Sequence, residues 1–227
     1  RDVENKNNVF DVFFNPSNVN AMKETPEGSE MYRVYSVTGE TGALPSTAPY
    51  YVMKNNKKII LTPEQRTQYQ RITGQTAVNL VSNLLNNVQY QNLSYKEKAD
   101  VLSRINSYSA ALAKKRVLDI EPSKEMKSVF EAEEAGIPMS EYLLYRAMIR
   151  GIEADKDKEG KPISGTKKSK ILDVINSLNL TREQKDFLYF QQDYKEKELK
   201  QAPWHRQSSS SSTDWLYNFW GGVLGGN

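Results

Sequence analysis

The chain has 227 residues, 38% of them hydrophobic and 26% charged, and its 31 basic and 28 acidic side chains leave a net charge of +3. So small a net charge gives little electrostatic attraction to nucleic acid or an anionic membrane, and the absence of cysteine excludes disulfide frameworks, thiolate zinc sites and cysteine nucleophiles. Because the hydrophobic fraction is low for one compact globule, we expect an extended or assembly-dependent fold.

The N-terminal segment, residues 1–61, begins with an irregular arm. Residues 1–28 are rich in asparagine and carry three clustered rings, by which we expect the arm to dock on a partner. These docking residues are Phe10, Phe13 and Phe14. A short helix over Glu30–Val37, ended by Gly39, follows the arm.

The last part of this segment predicts a small β-hairpin. Tyr50–Met53 and Lys58–Leu61 are rich in strand-forming residues and flank Asn55 and Asn56, a pair that favours a tight turn. Since an isolated hairpin is marginally stable, we expect this one to lie on the helices.

The central segment, residues 62–152, predicts a long antiparallel helical pair. Thr62 with Gln65, and Ser94 with Glu97, have the spacing of capping boxes at the two helix starts. Apolar residues then recur every three or four positions and predict the buried faces. The first face comprises Tyr69, Ile72, Ala77, Leu80, Val81, Leu84, Leu85 and Val88, and the second Ala99, Leu102, Ile105 and Leu112.

Two more helices are predicted in the central segment, one from Pro122 to about Glu134 and one over Ser140–Ile152. The second is apolar on most sides, so we expect it to be buried by several neighbours or by another chain. Arg146 and Arg150 lie one turn apart on it, with Glu141 near its start, and we interpret them as a buried ion pair or an interface anchor.

The third segment, residues 153–200, predicts a charged loop and a helical hairpin. Ile171, Val174, Ile175 and Leu178 form one face of its first helix. A capping box of Thr181 with Gln184 starts the second helix, which carries Phe187, Phe190 and Tyr194.

The last segment, residues 201–227, predicts a serine-rich linker followed by an aromatic docking tail. Bulky aromatic side chains with polar edges are favoured in protein-binding pockets and at membrane interfaces. We expect a groove on a partner or a sister subunit to bind this tail, while shallow contact with a membrane stays an alternative. The docking residues are Trp215, Leu216, Tyr217, Phe219 and Trp220.

Candidate chemical sites are incomplete. Asp155, Asp157, Glu159 and Gly160 fit the start of a calcium loop, but the twelfth position is Thr166 instead of a bidentate carboxylate. The single histidine, His205, excludes a multi-histidine metal site, and its place beside the serine-rich linker is a poor one for a rigid catalytic base. We therefore expect no catalytic residue, no cofactor and no metal.

The remaining sequence signals concern DNA, membranes and chain boundaries. Lys167, Lys168 and Lys170 open a helical hairpin that superficially suggests DNA binding, but nearby acidic residues nearly cancel their charge. There is no apolar run of about 18 residues to span a membrane, and there is no signal-peptide pattern. Because the chain starts at Arg1, we expect it to be a fragment of a longer polypeptide.

Several short motifs resemble known proteins over most of the range from Glu30 to Leu199. They are Tyr32-Arg33-Val34-Tyr35 through Thr38-Gly39, Leu44-Pro45-Ser46, Leu61-Thr62-Pro63-Glu64, Gly74-Gln75-Thr76, and Ser164-Gly165-Thr166-Lys167-Lys168 through Ile175-Asn176-Ser177-Leu178. Together they resemble the C-terminal regions of very long proteins encoded by tailed bacteriophages and prophages. The resemblance implies an internal, ejected or tail-associated virion protein, which lies in the host cytoplasm before assembly.

The sequence thus predicts a mainly α protein made of antiparallel helical hairpins, with one small β-hairpin, an irregular N-terminal arm and a tethered C-terminal aromatic segment. We expect a non-catalytic structural module of a multi-copy phage assembly, which contacts other virion proteins or sister subunits. The alternatives are a nucleic-acid-associated accessory domain of a phage or mobile-element protein, and a regulatory appendage of an enzyme whose catalytic part lies upstream.

Overall fold

The computed structural model describes residues 23–39, 48–154, 159 and 164–206. These residues belong to two compact units, an N-terminal unit from residues 23–134 and 138–148 and a C-terminal unit from residues 135–137 and 149–206. Residues 1–22 of the predicted N-terminal arm and the aromatic tail lie outside the described residues, whereas residues 26–28 of the predicted arm belong to a helix.

The described residues are mainly helical, with one two-stranded antiparallel sheet, so the predicted fold class is confirmed. The elements up to residue 118 are α1 (Pro26–Thr38), β1 (Tyr51–Lys54), β2 (Lys57–Ile60), α2 (Pro63–Leu85), α3 (Val88–Gln91) and α4 (Tyr95–Leu118). The later elements are α5 (Lys124–Glu134), α6 (Met139–Ala154), α7 (Ser164–Ser177), α8 (Arg182–Gln191), a 3₁₀ helix (Glu196–Gln201) and α9 (Pro203–Arg206).

Helix α1 begins four residues before the predicted start. Thr25 is its N-cap, because the Thr25 hydroxyl accepts a hydrogen bond from the Gly28 backbone N–H at 3.1 Å, and Pro26 occupies the first helical position. The sequence analysis placed the start at Glu30 and was wrong on this point. Gly39 ends the helix as predicted, in the left-handed conformation with φ of 73°.

The long central pair is confirmed. The Thr62–Gln65 capping box is complete, and the Ser94 hydroxyl accepts from the Glu97 N–H, so α2 and α4 begin where predicted. Tyr69, near the start of α2, shares an apolar cluster with Leu118, the last residue of α4, which makes the two helices antiparallel.

The predicted buried faces of α2 and α4 are largely confirmed, with Val88 as the exception. It starts the separate short helix α3 and is 73% exposed. Asn87 caps α3 with its side-chain oxygen, which accepts from the Tyr90 N–H at 3.0 Å. The helical periodicity of α2 therefore ends before Val88, because an asparagine cap has started a new helix.

Helix α1 packs on both α2 and α4 and completes the core of the N-terminal unit. This core also contains a charged contact. The carboxylate of Glu30 in α1 is buried and pairs with Arg33, while Lys98 in α4 is buried beside the rings of Tyr90 and Tyr95. Burying such charges without partners would be strongly unfavourable, and the Tyr90 hydroxyl, which donates to the Glu30 carboxylate at 2.9 Å, joins α3 to α1.

Helix α6 is buried on most sides, as its sequence predicts. Four consecutive side chains, Tyr142 to Tyr145, are each almost inaccessible to solvent, and the rings of Tyr142 and Tyr145 lie 6.1 Å apart. Residues 139–148 of this helix belong to the N-terminal unit and residues 149–154 to the C-terminal unit.

The C-terminal unit contains the predicted hairpin of α7 and α8, with a complete Thr181–Gln184 capping box. It also contains two helical turns that the sequence analysis did not predict, the 3₁₀ helix and α9. Tyr189 lies at the centre of an aromatic cluster and makes edge contacts with Phe190, Tyr194 and Trp204 at centroid distances of 5.1 to 6.2 Å. The range 201–206, assigned to the linker by sequence, therefore contains packed helix.

Candidate interaction surfaces

The β-hairpin is built by its turn. Asn55 and Asn56 both have positive φ, 49° and 60°, which is the backbone of a two-residue turn matched to the twist of antiparallel strands. The turn fixes the register, with Tyr51 opposite Ile60 and Met53 opposite Lys58. Asparagine tolerates this conformation better than most other residues, which explains why the pair predicted the hairpin correctly.

One side of the hairpin is anchored in the core. Val52 is buried with Leu61, Tyr69 and Leu118, and Ile59 packs against the same cluster. The ammonium of Lys54 donates a hydrogen bond of 3.1 Å to the Leu118 carbonyl at the end of α4. The expectation that the hairpin lies on the helices is confirmed.

The opposite side of the hairpin is exposed and largely apolar. We call Tyr51, Met53, Lys58 and Ile60 the hairpin face, because strand alternation and register place them together. Its three apolar members are between 50% and 73% exposed. Exposed apolar side chains are common singly, but a contiguous group on an anchored element is typical of an interaction site.

Two cations lie over exposed tyrosine rings of the hairpin region. The Lys58 ammonium lies 4.1 Å from the centre of the Tyr51 ring, and the Arg66 guanidinium lies 4.0 Å from the centre of the Tyr50 ring. Residues 48–61 include three lysines and no acidic residue. The hairpin therefore offers apolar contacts within a positive local charge, which favours an aromatic or apolar ligand that carries negative charge.

The backbone of the hairpin is also available for pairing. The Leu61 N–H donates to the Tyr50 carbonyl at 2.9 Å, so these residues form a hydrogen-bonded pair, and alternation makes Tyr51 and Ile60 a non-hydrogen-bonded pair. The backbone groups of the face residues accordingly point away from the partner strand. Within the described residues neither edge pairs with a third strand, and such edges accept added strands.

A second candidate surface is a cleft of about 390 Å³ in the N-terminal unit. Arg104 and Arg146 line it with Met126, Val129 and Leu143. Arg104 pairs with Asp100 at 3.1 Å, and Glu125 also lines the cleft. The nearby carboxylates offset the arginine charges, so the cleft has a weaker preference for anions than its two guanidinium groups suggest.

The sequence expectation for Arg146, Arg150 and Glu141 needs correction in part. Glu141 accepts a hydrogen bond of 2.8 Å from the Asn87 side chain, and Arg146 lines the cleft instead of pairing with Glu141 in a buried ion pair. Arg150 is exposed, one turn further along α6. The reason is tertiary, since the start of α6 meets Asn87, the cap of α3.

The C-terminal unit contains a polar cluster around Asp186. One oxygen of this carboxylate accepts from the Trp204 indole N–H at 2.8 Å and contacts His205 Nε2 at 2.7 Å. On the other side of the ring, Arg182 contacts His205 Nδ1. Because the guanidinium can only donate, Nδ1 accepts and the Nε2–H donates to Asp186.

The position of His205 differs from the sequence expectation of a site beside a flexible linker. The residue lies in α9, and its ring is held between an acidic and a basic side chain. The missed signal was Pro203, which favours the first position of a helix, followed by a tryptophan that can be buried. The same contacts occupy both ring nitrogens, so the cluster stabilises packing between α8 and α9.

Two of the three lysines that suggested DNA binding are engaged within the C-terminal unit. The ammonium of Lys168 pairs with Glu198 at 2.5 Å and lies 4.7 Å from the Tyr194 ring centre. Lys167 donates to the Glu153 carbonyl at 3.1 Å. These contacts reduce the positive charge that this hairpin presents to a phosphate backbone.

The eight docking residues predicted from sequence lie outside the described residues. These docking residues are Phe10, Phe13, Phe14, Trp215, Leu216, Tyr217, Phe219 and Trp220. Asp155, Asp157 and Gly160 of the incomplete calcium loop also lie outside the described residues. In the described ranges there is no cluster of three or more acidic or histidine side chains suited to a metal ion. None of the helices in those ranges has the length and apolar character needed to cross a membrane.

The hairpin face was missed as a site although its signal was present. Val52 and Ile59 alternate with Tyr51, Met53 and Ile60, and both sides of each strand are therefore apolar. One apolar side is enough to pack the hairpin on the helices, so the second had to be exposed or bound to something else.

No protein-family model, curated protein or solved structure matches this chain.

Proposed function

We propose that this chain is a non-catalytic structural and interaction module of a tailed-phage particle, and that it docks onto other virion proteins or sister subunits. The single observation that supports docking is the hairpin face, whose apolar side chains are exposed although the strands beneath them are anchored. The phage context depends on the resemblance described above.

The chemistry of the hairpin face is suited to protein contact. Tyrosine and methionine are enriched in the cores of protein interfaces, and full burial of one large apolar side chain contributes about 1.5–3 kcal/mol. Tyr51, Met53 and Ile60 together therefore provide enough apolar surface for a small hot spot.

The support beneath the hairpin face favours affinity. Val52 and Ile59 pack into the core and Lys54 bonds to the end of α4, so the face is ordered before a partner arrives. A pre-organised surface loses less conformational entropy on binding than a mobile one. This arrangement is typical of a docking platform.

The first experiment locates the chain. Particles purified from the strain that carries the gene are separated on a density gradient, and peptides from residues 63–118 are quantified by mass spectrometry. We expect a constant ratio of these peptides to capsid protein across the particle peak. Their absence from the peak would reject the proposed function.

The second experiment tests the surface. The double variant Tyr51→Ser/Ile60→Ser should reduce incorporation into particles about tenfold or more, since each lost 1.4 kcal/mol of binding is a factor of ten. The matched control is Val88→Ser, because Val88 is as exposed as Ile60 but lies on α3. Equal incorporation of both variants, with the helical circular-dichroism signal intact, would show that another surface docks.

A second candidate function is a nucleic-acid-associated accessory domain. The observation that favours it is that Lys58 lies over the exposed ring of Tyr51 and Arg66 over that of Tyr50, because bases stack on exposed rings beside cations. Affinity for single-stranded DNA that is tight at low salt and falls steeply with added salt would favour this function over protein docking.

A further inference from the structure

We propose that the C-terminal aromatic segment, residues 214–220, docks on the hairpin face by pairing with an open edge of the β-hairpin. This inference deepens the proposed function, on which it rests, by naming one pair of surfaces that meet. The segment belongs to a second copy of this chain.

The hairpin face and the aromatic segment are chemically complementary. Residues 48–61 carry three lysines and no acid, and Lys58 and Arg66 lie over exposed tyrosine rings. The segment 207–227 carries one charged side chain, the acidic Asp214, directly before its first tryptophan. An apolar face with a positive rim thus meets an aromatic segment with a negative end.

The residue pattern of the aromatic segment suits strand addition. Trp215, Tyr217 and Phe219 alternate, so they fall on one side of an extended strand. Tryptophan, tyrosine and phenylalanine all favour strands. The six residues 215–220 would span about 20 Å in extended form, which exceeds the length of either four-residue strand of the hairpin.

A serine-rich linker precedes the aromatic segment. Residues 207–213 contain five serines and no large apolar side chain, a composition that links without imposing structure. Between neighbouring copies in a multi-copy assembly, a short linker of this kind gives a docking segment an effective concentration on the order of millimolar. Even a weak strand addition is then occupied when a neighbouring hairpin lies within reach of the linker.

The absence of cysteine from the natural chain makes a site-specific test possible. In the 227-residue chain, Thr213→Cys is combined with Lys57→Cys at the end of the hairpin turn, and a short bis-maleimide linker is added. The control pair combines Thr213→Cys with Val88→Cys. We expect cross-linking to the hairpin to be about tenfold faster than to the control position.

Two further variants separate docking from chance proximity. Trp215→Ser/Phe219→Ser in the tail, or Ile60→Ser on the hairpin, should reduce the rate to that of the control pair, whereas Leu224→Ser should not. Covalent dimers that increase with protein concentration identify a second copy as the source of the segment and support the inference. A rate that is independent of protein concentration, without covalent dimers, would place the tail of the same chain on the hairpin and would overturn the inference.

Three further results would overturn it. They are equal rates for the two cysteine pairs, a fast rate that the ring and face variants leave unchanged, and preferential linking of Lys57→Cys to Ser17→Cys, which would place the N-terminal rings on the hairpin instead. The particle experiment tests the proposed function independently of the cross-linking. If the cross-linking preference is lost but the chain is found in particles, another contact accounts for its incorporation. If the chain is absent from particles, a tail–hairpin contact measured by cross-linking remains valid.

Discussion

The hydroxyl of Tyr90 donates a hydrogen bond of 2.9 Å to Oε1 of Glu30, a carboxylate that is only 5% exposed. The two residues are 60 positions apart, and the bond joins α3 to α1. Burial, and then the negative charge of Glu30, raise the pKa of Tyr90 above its ordinary value. The tyrosine therefore stays protonated, and the donor is retained at every ordinary pH.

Tyr90→Phe removes this donor and leaves a buried carboxylate with one partner fewer. We expect the free energy of unfolding to fall by about 1–3 kcal/mol, because an unsatisfied buried acceptor loses its solvation without compensation. Chemical denaturation followed by circular dichroism measures the change. Tyr95→Phe is the matched control, since the Tyr95 ring lies in the same cluster but is 39% exposed, and a loss as large for the control would assign the effect to general packing.

Two substitutions of Asn56 in the hairpin turn should have different effects on stability. Asn56 has φ of 60°, a conformation that glycine adopts without strain and β-branched residues avoid. Asn56→Gly should leave the stability unchanged or raise it, while Asn56→Val should lower it by about 1–2 kcal/mol. Thermal unfolding compares the two variants, and a valine variant as stable as the glycine variant would contradict the left-handed turn.

The Asp186 cluster predicts a loss from removal of the indole donor. Trp204→Phe leaves Asp186 with His205 but without the 2.8 Å bond from the indole, and it reduces the ring packed against Tyr189. We expect the C-terminal unit to lose about 1–3 kcal/mol of stability. Hydrogen exchange of α8 amides measures the loss, with Trp215→Phe as the control, since the proposed tail contact does not involve α8.

Acid should weaken the contact between the 3₁₀ helix and α7. A hydrogen bond from Lys168, and then its positive charge, lower the pKa of Glu198 below its usual value. A lowered folded pKa means that the stabilisation is complete above the unfolded pKa of about 4.3 and is lost as the pH falls through the folded value. Both side chains are about two-fifths exposed, so solvent screening keeps the effect small.

Thermal unfolding of the C-terminal unit at pH 6 and pH 3 checks the acid effect. Glu198→Gln should lower the unfolding temperature slightly at pH 6 and reduce the decrease between the two pH values. Glu196→Gln, in the same 3₁₀ helix, should retain the full decrease of the natural chain. Identical pH dependence in all three proteins would show that the ion pair adds no stability in solution.

Local sequence rules determined most of the element boundaries in this protein. Thr62 with Gln65 and Thr181 with Gln184 formed complete capping boxes where predicted, because a cap depends only on residues three positions apart. The Asn55–Asn56 turn and the cap at Gly39 are equally local. The start of α1 was wrong because Thr25 and Ser29 both have cap chemistry, and local rules do not choose between two such residues.

Long-range contacts decided the rest. Periodicity predicted that α2 and α4 have apolar faces, yet nothing local shows that Tyr90 would bond to Glu30 or that His205 would lie between Asp186 and Arg182. Each of those contacts joins residues far apart in the chain, so its energy appears only when the helices pack.

In the hairpin, too, local sequence and tertiary contacts determined different features. The sequence by itself determined two strands that are apolar on both sides, since side-chain identity and turn chemistry are local. Only the tertiary structure decided that Val52 and Ile59 face the core while Tyr51, Met53 and Ile60 stay exposed. The physical reason is that the helices can cover one side of a two-stranded sheet here, and register then exposes every alternate residue on the other.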